Sequence, residues 1–137
     1  MKKAKPTRPV SNLDVLAAIS DQLSMDIVTA ISNDVTNSDN LMQVLDLTRK
    51  RYYSRSSRLM KIGIISRKNG DIILTSFGQL VYKAQLKIAT AFSHSSELRM
   101  IDAIKSHSGM SEDEQKRIID KILEDSELKN LELQEKE

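Results

Sequence analysis

The stretch LTRKRYYSRSSRLMKIGIISRKNGDIILTSFG, residues 47–78, carries three local signals in succession. Thr48 is a hydroxyl residue suited to open a helix. Over roughly 48–62, Tyr52, Ser56, Leu59 and Ile62 or Gly63 follow at steps of four and three, the spacing that puts side chains on one side of a helix. The other side holds Arg49, Lys50, Arg51, Tyr53, Ser54, Arg55, Ser57, Arg58 and Lys61. Gly63 then stops the helix, because glycine accepts the left-handed conformation of a helix end at no steric cost. Two β-prone runs within 64–74 flank Asn69-Gly70, a pair that tolerates positive φ at both central positions of a two-residue hairpin turn. Thr75 or Ser76 caps the helix that comes next.

Between 49 and 68 there are eight Lys and Arg and no acidic residue. A helix face that is merely solvated usually mixes signs and gains i, i+4 pairs. An unbroken positive run repels itself until an anion arrives. Tyr52 and Tyr53 lie about 100° apart on a helix, so Tyr52 is assigned to the core and Tyr53 to the basic face. The charge of the whole chain is lopsided in the same sense. Residues 1–95 carry fourteen Lys and Arg against seven Asp and Glu, and residues 96–137 carry seven against twelve. The basic front half points to a polyanionic partner.

Working outward on the N-terminal side, Leu13, Leu16 and Ala17, then Leu23, Ile27, Val28 and Ile31, predict two consecutive helical pieces. Asp21 or Ser24 caps the second, and Asn33 with Asp34 ends it. Ser38 caps a short helix containing Leu41, Met42, Val44 and Leu45, with Leu47 in a tight connection to Thr48. On the C-terminal side an inner stripe of Phe77, Leu80, Val81, Ala84, Ile88 and Phe92 predicts a long helix. Leu98, Ile101 and Ile104 predict another, broken at Ser108-Gly109. Ser111 and Glu114 form a capping box before a last helix with Ile118, Ile119, Ile122 and Leu123 on one side.

At 137 residues the chain holds one domain of ordinary size and an appendage. With 39% hydrophobic and 29% charged residues it is expected to fold. Residues 1–11, with Lys2, Lys3, Lys5, Arg8 and two prolines, read as a disordered basic arm, 12–92 as the main domain, 93–126 as a helical extension, and 127–137 as a frayed charged tail. The absence of cysteine excludes disulfides and thiolate chemistry and fits the cytoplasm. No apolar run reaches the roughly 20 residues of a membrane helix, so no membrane association is expected.

No Gly-rich phosphate loop, nucleophile elbow or metalloprotease motif is present, and the acidic run Glu112, Asp113, Glu114 is explained by its place at a helix N-terminus. The chain is therefore expected not to be an enzyme and to need no cofactor. His94 and His107 are the two histidines, and without cysteine partners they predict no metal site.

The order helix, helix, basic helix, basic hairpin, helix, carried by residues 47–65 and 69–78, resembles the winged helix-turn-helix superfamily over about 12–92. The likeness is to archaeal-type and ArsR-like or MarR-like transcriptional regulators. The Asp-x-His and His-x-x-Glu flanks of the zinc-sensing members are missing here. The resemblance implies a mostly α fold with a small β-hairpin, in which the helix about 48–62 enters the major groove of double-stranded DNA and the wing 65–74 follows the backbone. It implies a homodimer on a palindromic site, with DNA contacts carried by Arg49, Lys50, Arg51, Tyr53, Ser54, Arg55, Ser57 and Arg58 in the helix and Arg67, Lys68 and Asn69 in the wing.

Surplus apolar residues, chiefly Ile88, Phe92, Leu98, Ile101, Ile119 and Leu123, either form the dimer interface or fold back on the same chain. Two other functions use the same surface: a winged helix that docks onto protein as a subunit of a transcription assembly, and RNA binding. A protein-docking face should display apolar side chains, and here only Tyr53 and Met60 qualify.

Overall fold

The computed structural model describes residues 8–126 and Leu128. The expected arm before Arg8 and the expected tail, apart from Leu128, lie outside the described residues. Among those described, the fold is mostly helical with one two-stranded antiparallel hairpin, in the order α1 (Asn12–Ile19), α2 (Gln22–Ser32), α3 (Ser38–Val44), α4 (Arg49–Lys61), β1 (Ile65–Lys68), β2 (Asp71–Leu74), α5 (Ser76–Ser93), α6 (Ser95–Lys105) and α7 (Glu112–Asp125). No single described helix is long and apolar enough to cross a membrane. The chain forms two compact units, Met1–Tyr82 and Lys83–Glu137. The division falls inside α5, upstream of the boundary expected at 92.

In the first unit Ala18, Ile27, Leu41, Tyr52, Leu59, Ile64, Ile65 and Ile72 are wholly or almost wholly buried, with Val28 and Ile31 beside them. Each large apolar side chain removed from water in this way contributes about 1.5–3 kcal/mol before entropy is charged against it. Side-chain caps begin the helices. Asp21 accepts from the Ser24 N–H at α2, Asn37 from the Asp39 and Asn40 N–H at α3, and Thr48 from the Arg51 N–H at α4. The cap of α3 is thus Asn37, one residue before the expected Ser38. The Ser38 hydroxyl instead accepts from the Tyr52 hydroxyl at 3.1 Å, tying α3 to α4.

Three helices end in the same way. A residue with positive φ follows the last turn, and the next N–H reaches back to a carbonyl five residues earlier: Val35 to Ala30 after α2, Leu47 to Met42 after α3, and Ile64 to Leu59 after α4. The left-handed positions are Asp34, Asp46 and Gly63. The hairpin closes on Asn69 and Gly70, both with positive φ, and pairs Ile65 with Leu74 and Lys68 with Asp71. The Ile72 N–H donates to the Thr36 carbonyl at 2.9 Å, so the segment after α2 lies against the edge of β2.

Two expected apolar faces are corrected. In α1 the buried residue is Ala18, flanked by Val15 and Ile19, whereas Leu13, Leu16 and Ala17 are exposed. Both sets satisfy helical spacing, and it is Val15, Ala18 and Ile19 that face the core shared with α2, which is bent 86° from α1. In α5 the inward face is Gly78, Val81 and Tyr82, while Phe77 and Leu80 of the expected stripe point outward, Leu80 at 68% exposure. A Cβ on Gly78 would run into the Ile64 carbonyl oxygen. That backbone contact sets the rotation of the helix and carries no apolar side chain to announce it.

In the second unit α6 and α7 turn their apolar stripes toward each other. Ile101 and Leu123 are 5% and 6% exposed, Leu128 is buried with them, and Leu98, Ile119 and Ile122 pack around this small core. Four of the six residues named for a dimer surface, Leu98, Ile101, Ile119 and Leu123, therefore serve the chain's own packing. Ile88 and Phe92 stay exposed, Phe92 at 80%. Ile118 faces out rather than in.

Candidate nucleic-acid interface

The buried side of α4 is Tyr52, Ser56 and Leu59, and it fixes where everything else on that helix points. At about 100° per residue, the direction opposite this side is occupied by Lys50, Ser54, Ser57 and Lys61. Arg51 and Arg58 lie on one flank, and Arg49 and Tyr53 on the other. All eight are exposed. The middle of the outward face thus contains two short hydroxyl side chains bordered by long cationic ones. The Tyr53 ring meets the edge of Tyr52, with centroids 5.0 Å apart and planes at 76°, so the exposed ring is held by the buried one.

The first turn of α4 holds Arg49, Lys50 and Arg51 and no acidic residue. Helix N-termini carry partial positive charge from their unpaired N–H groups. Three cations there raise the local potential still further.

Arg55 differs from the rest. It lies on the Arg51–Arg58 flank but leans toward the core, with its side chain 33% exposed, and its Nε donates to Asp21 Oδ2 at 3.0 Å. Asp21 also accepts from the Ser24 N–H and the Ser24 hydroxyl. The Ser24 hydroxyl and then Arg55 hold its carboxyl below the usual carboxylate range, against the opposing effect of burial. Arg55 therefore links α2 to α4 and is not a free surface cation. Arg49, Lys50, Arg51, Arg58, Lys61, Arg67 and Lys68 form no ion pair with a described residue.

Arg67, Lys68 and Asn69 are exposed at the hairpin end. Lys68 stands opposite Asp71 in register, so the tip is less positive than its lysine and arginine alone suggest. In the arm, Arg8 pairs with Asp14 at 2.6 Å and contributes to the start of α1.

Of the residues that the sequence assigns to DNA contact, Arg49, Lys50, Arg51, Tyr53, Ser54, Ser57, Arg58, Arg67, Lys68 and Asn69 are exposed, and Arg55 is half-buried. Sequence reasoning did not include Lys61 in the candidate site, although the four- and three-residue spacing from Lys50 through Ser54 and Ser57 marks it. It also missed Asp21 as the partner of Arg55. Such a face presents N–H and O–H donors and positive charge of the kind that phosphate oxygens accept. No described cluster of His, Asp and Glu could hold a metal ion. His94 Nδ1 lies 3.0 Å from the Thr90 carbonyl oxygen, and His107 Nδ1 accepts from the Gly109 N–H.

No protein-family model, curated protein or solved structure matches this chain.

Proposed function

We propose that the chain is a winged helix-turn-helix protein that binds double-stranded DNA in a sequence-specific way and regulates transcription, without cofactor or catalysis. The observation that carries this reading is the outward face of α4, where Lys50, Arg51, Arg58 and Lys61 surround Ser54 and Ser57 with no described carboxylate paired to any of them. A helix of thirteen residues is about 20 Å long, and the major groove admits one helix. Small serines at the middle of the face let the backbone approach base edges, while the longer cations reach phosphates on either side.

In this reading α3 and α4 are the helix-turn-helix, and β1–β2 is the wing. The tie from Ile72 to Thr36 supports it, since it braces the hairpin against the helical core. The wing lays Arg67 and Asn69 along the sugar-phosphate backbone. A homodimer belongs to the same proposal, because a two-fold protein matches a two-fold site. Ile88 and Phe92 of the second unit, both exposed, are among the apolar residues available for it.

The test is a titration of labelled duplex at several salt concentrations, with the protein's mass followed by light scattering. Affinity is expected to fall on the order of a thousandfold between 50 and 200 mM salt if six or more phosphates are neutralised. Arg58→Ala should weaken binding by about 1–3 kcal/mol if Arg58 reads a base, and by less, uniformly across sequences, if it holds a phosphate. A protein that ignores duplexes at low ionic strength would end this reading. Preference for single-stranded RNA, or salt-insensitive capture of a protein partner, would replace it.

A further inference from the structure

We propose that Asp21 is a positioning residue that holds Arg55 as the base-reading side chain of α4, an inference that rests on the DNA-binding reading above. Asp21 is a carboxylate in the wrong place for a phosphate-binding surface. Asp21 caps α2, but serine or asparagine caps a helix about as well. A negative charge beside a run of cations works against phosphate affinity. Its carboxylate has one function that those alternatives lack, which is the charge-assisted bond from Arg55 Nε at 3.0 Å.

The atom used in that bond matters. A guanidinium has five N–H donors in a rigid fork. Engaging Nε leaves the two terminal amino groups, which take no described partner. Those two groups form the end-on pair that matches O6 and N7 of guanine in the major groove. The Arg55 side chain is 33% exposed and that of Asp21 27%, so the pair is half-buried and Arg55 is not sealed off from a ligand. Asp21 is itself fixed by two bonds from Ser24. Arg55 is thus restrained before any ligand arrives, unlike Arg51 and Arg58, which form no ion pair with a described residue. A restrained fork loses less freedom on binding and discriminates better than a mobile one. The mobile cations supply attraction for any sequence, and Arg55 supplies the choice between sequences.

The experiment selects bound duplexes from a random library with the full chain, then scans the selected duplex with 7-deazaguanine, which lacks N7. The wild type is expected to lose on the order of tenfold in affinity at one guanine per half-site. Asp21→Ser, whose side chain keeps the cap but cannot reach Arg55, should lose that penalty while binding unselected duplexes as well as or better than wild type. Arg55→Lys, which keeps the charge but has no fork, should lose the same penalty with an unchanged salt dependence. Asp21→Gly, a tolerated helix cap with no side-chain acceptor, serves if the serine variant does not fold. Wild-type discrimination in the folded Asp21 variant, or deaza-sensitivity surviving unchanged in Arg55→Lys, would overturn this inference alone. Failure of the wild type to bind any duplex would overturn the DNA reading as well.

Discussion

A carboxyl group held below its usual range makes stability depend on pH in a fixed direction. Asp21 is such a group, through the Ser24 hydroxyl first and Arg55 next. Its folded state prefers the ionised form more strongly than the unfolded chain does. The resulting stability is complete above the unfolded carboxylate pKa of about 4 and is lost as pH falls through the lower folded value. Urea midpoints measured from pH 5 down to 2.5 should therefore fall for the wild type, and less steeply for Asp21→Asn, which keeps the cap and cannot titrate. Equal slopes would show that Asp21 is not linked to folding. The pairing itself was not legible in the sequence, since residues 21 and 55 sit on different helices and nothing local joins them. Asp21 as a cap was legible, because capping depends only on neighbours three residues away.

At the scale of elements, most local signals succeeded, and the rotations of α1 and α5 failed. The turn at Asn69-Gly70, the start of α4 at Thr48 and its stop at Gly63 follow from backbone preferences of one or two residues, and all three are seen. The buried triad Tyr52, Ser56, Leu59 followed from spacing in a helix with a single apolar side. In α1 and α5 several faces are apolar, so spacing could not choose between them. Tertiary contact made the choice, and in α5 that contact is Gly78 against the Ile64 carbonyl. Thr75 reinforces it. Its hydroxyl oxygen accepts from the Gly78 N–H at 2.8 Å and its hydroxyl donates to the Gly63 carbonyl. Gly78→Ala would force α5 away from the hairpin, because the atom it meets is backbone and cannot rotate aside. The expected cost is at or above the upper end of the 1–3 kcal/mol typical of overpacking, read as a lower midpoint in urea. A variant with unchanged stability would refute the close packing of α5 at this point.

Across the whole molecule the two units differ in how much they bury. The first closes around Tyr52, Leu59 and the isoleucines of the hairpin, whereas the second relies on Ile101, Leu123 and Leu128 with three partly covered neighbours. Local opening free energy follows the amount of apolar contact that opening breaks. Amide hydrogen exchange should accordingly be slower in α2 and α4 than in α6 and α7. Equal protection would mean that the second unit gains stability from something beyond these contacts, such as a second copy of the chain. Of the C-terminal helices, α7 was legible from its Ser111 cap and most of its stripe, and α6 from its stripe alone. The destination of the stripes was not, because an apolar face looks the same in sequence whether its neighbour is the same chain or another.

The crowding of Arg49, Lys50 and Arg51 on the positive end of α4 has a practical consequence. These charges oppose one another and the helix dipole, so adding salt relieves the free protein by screening the repulsion. In the proposed complex the same salt would compete with the protein for DNA. Folding and binding should thus respond to ionic strength with opposite signs. If the proposed binding holds, release of duplex in concentrated salt is expected without loss of the fold, and far-UV circular dichroism on the same sample checks it.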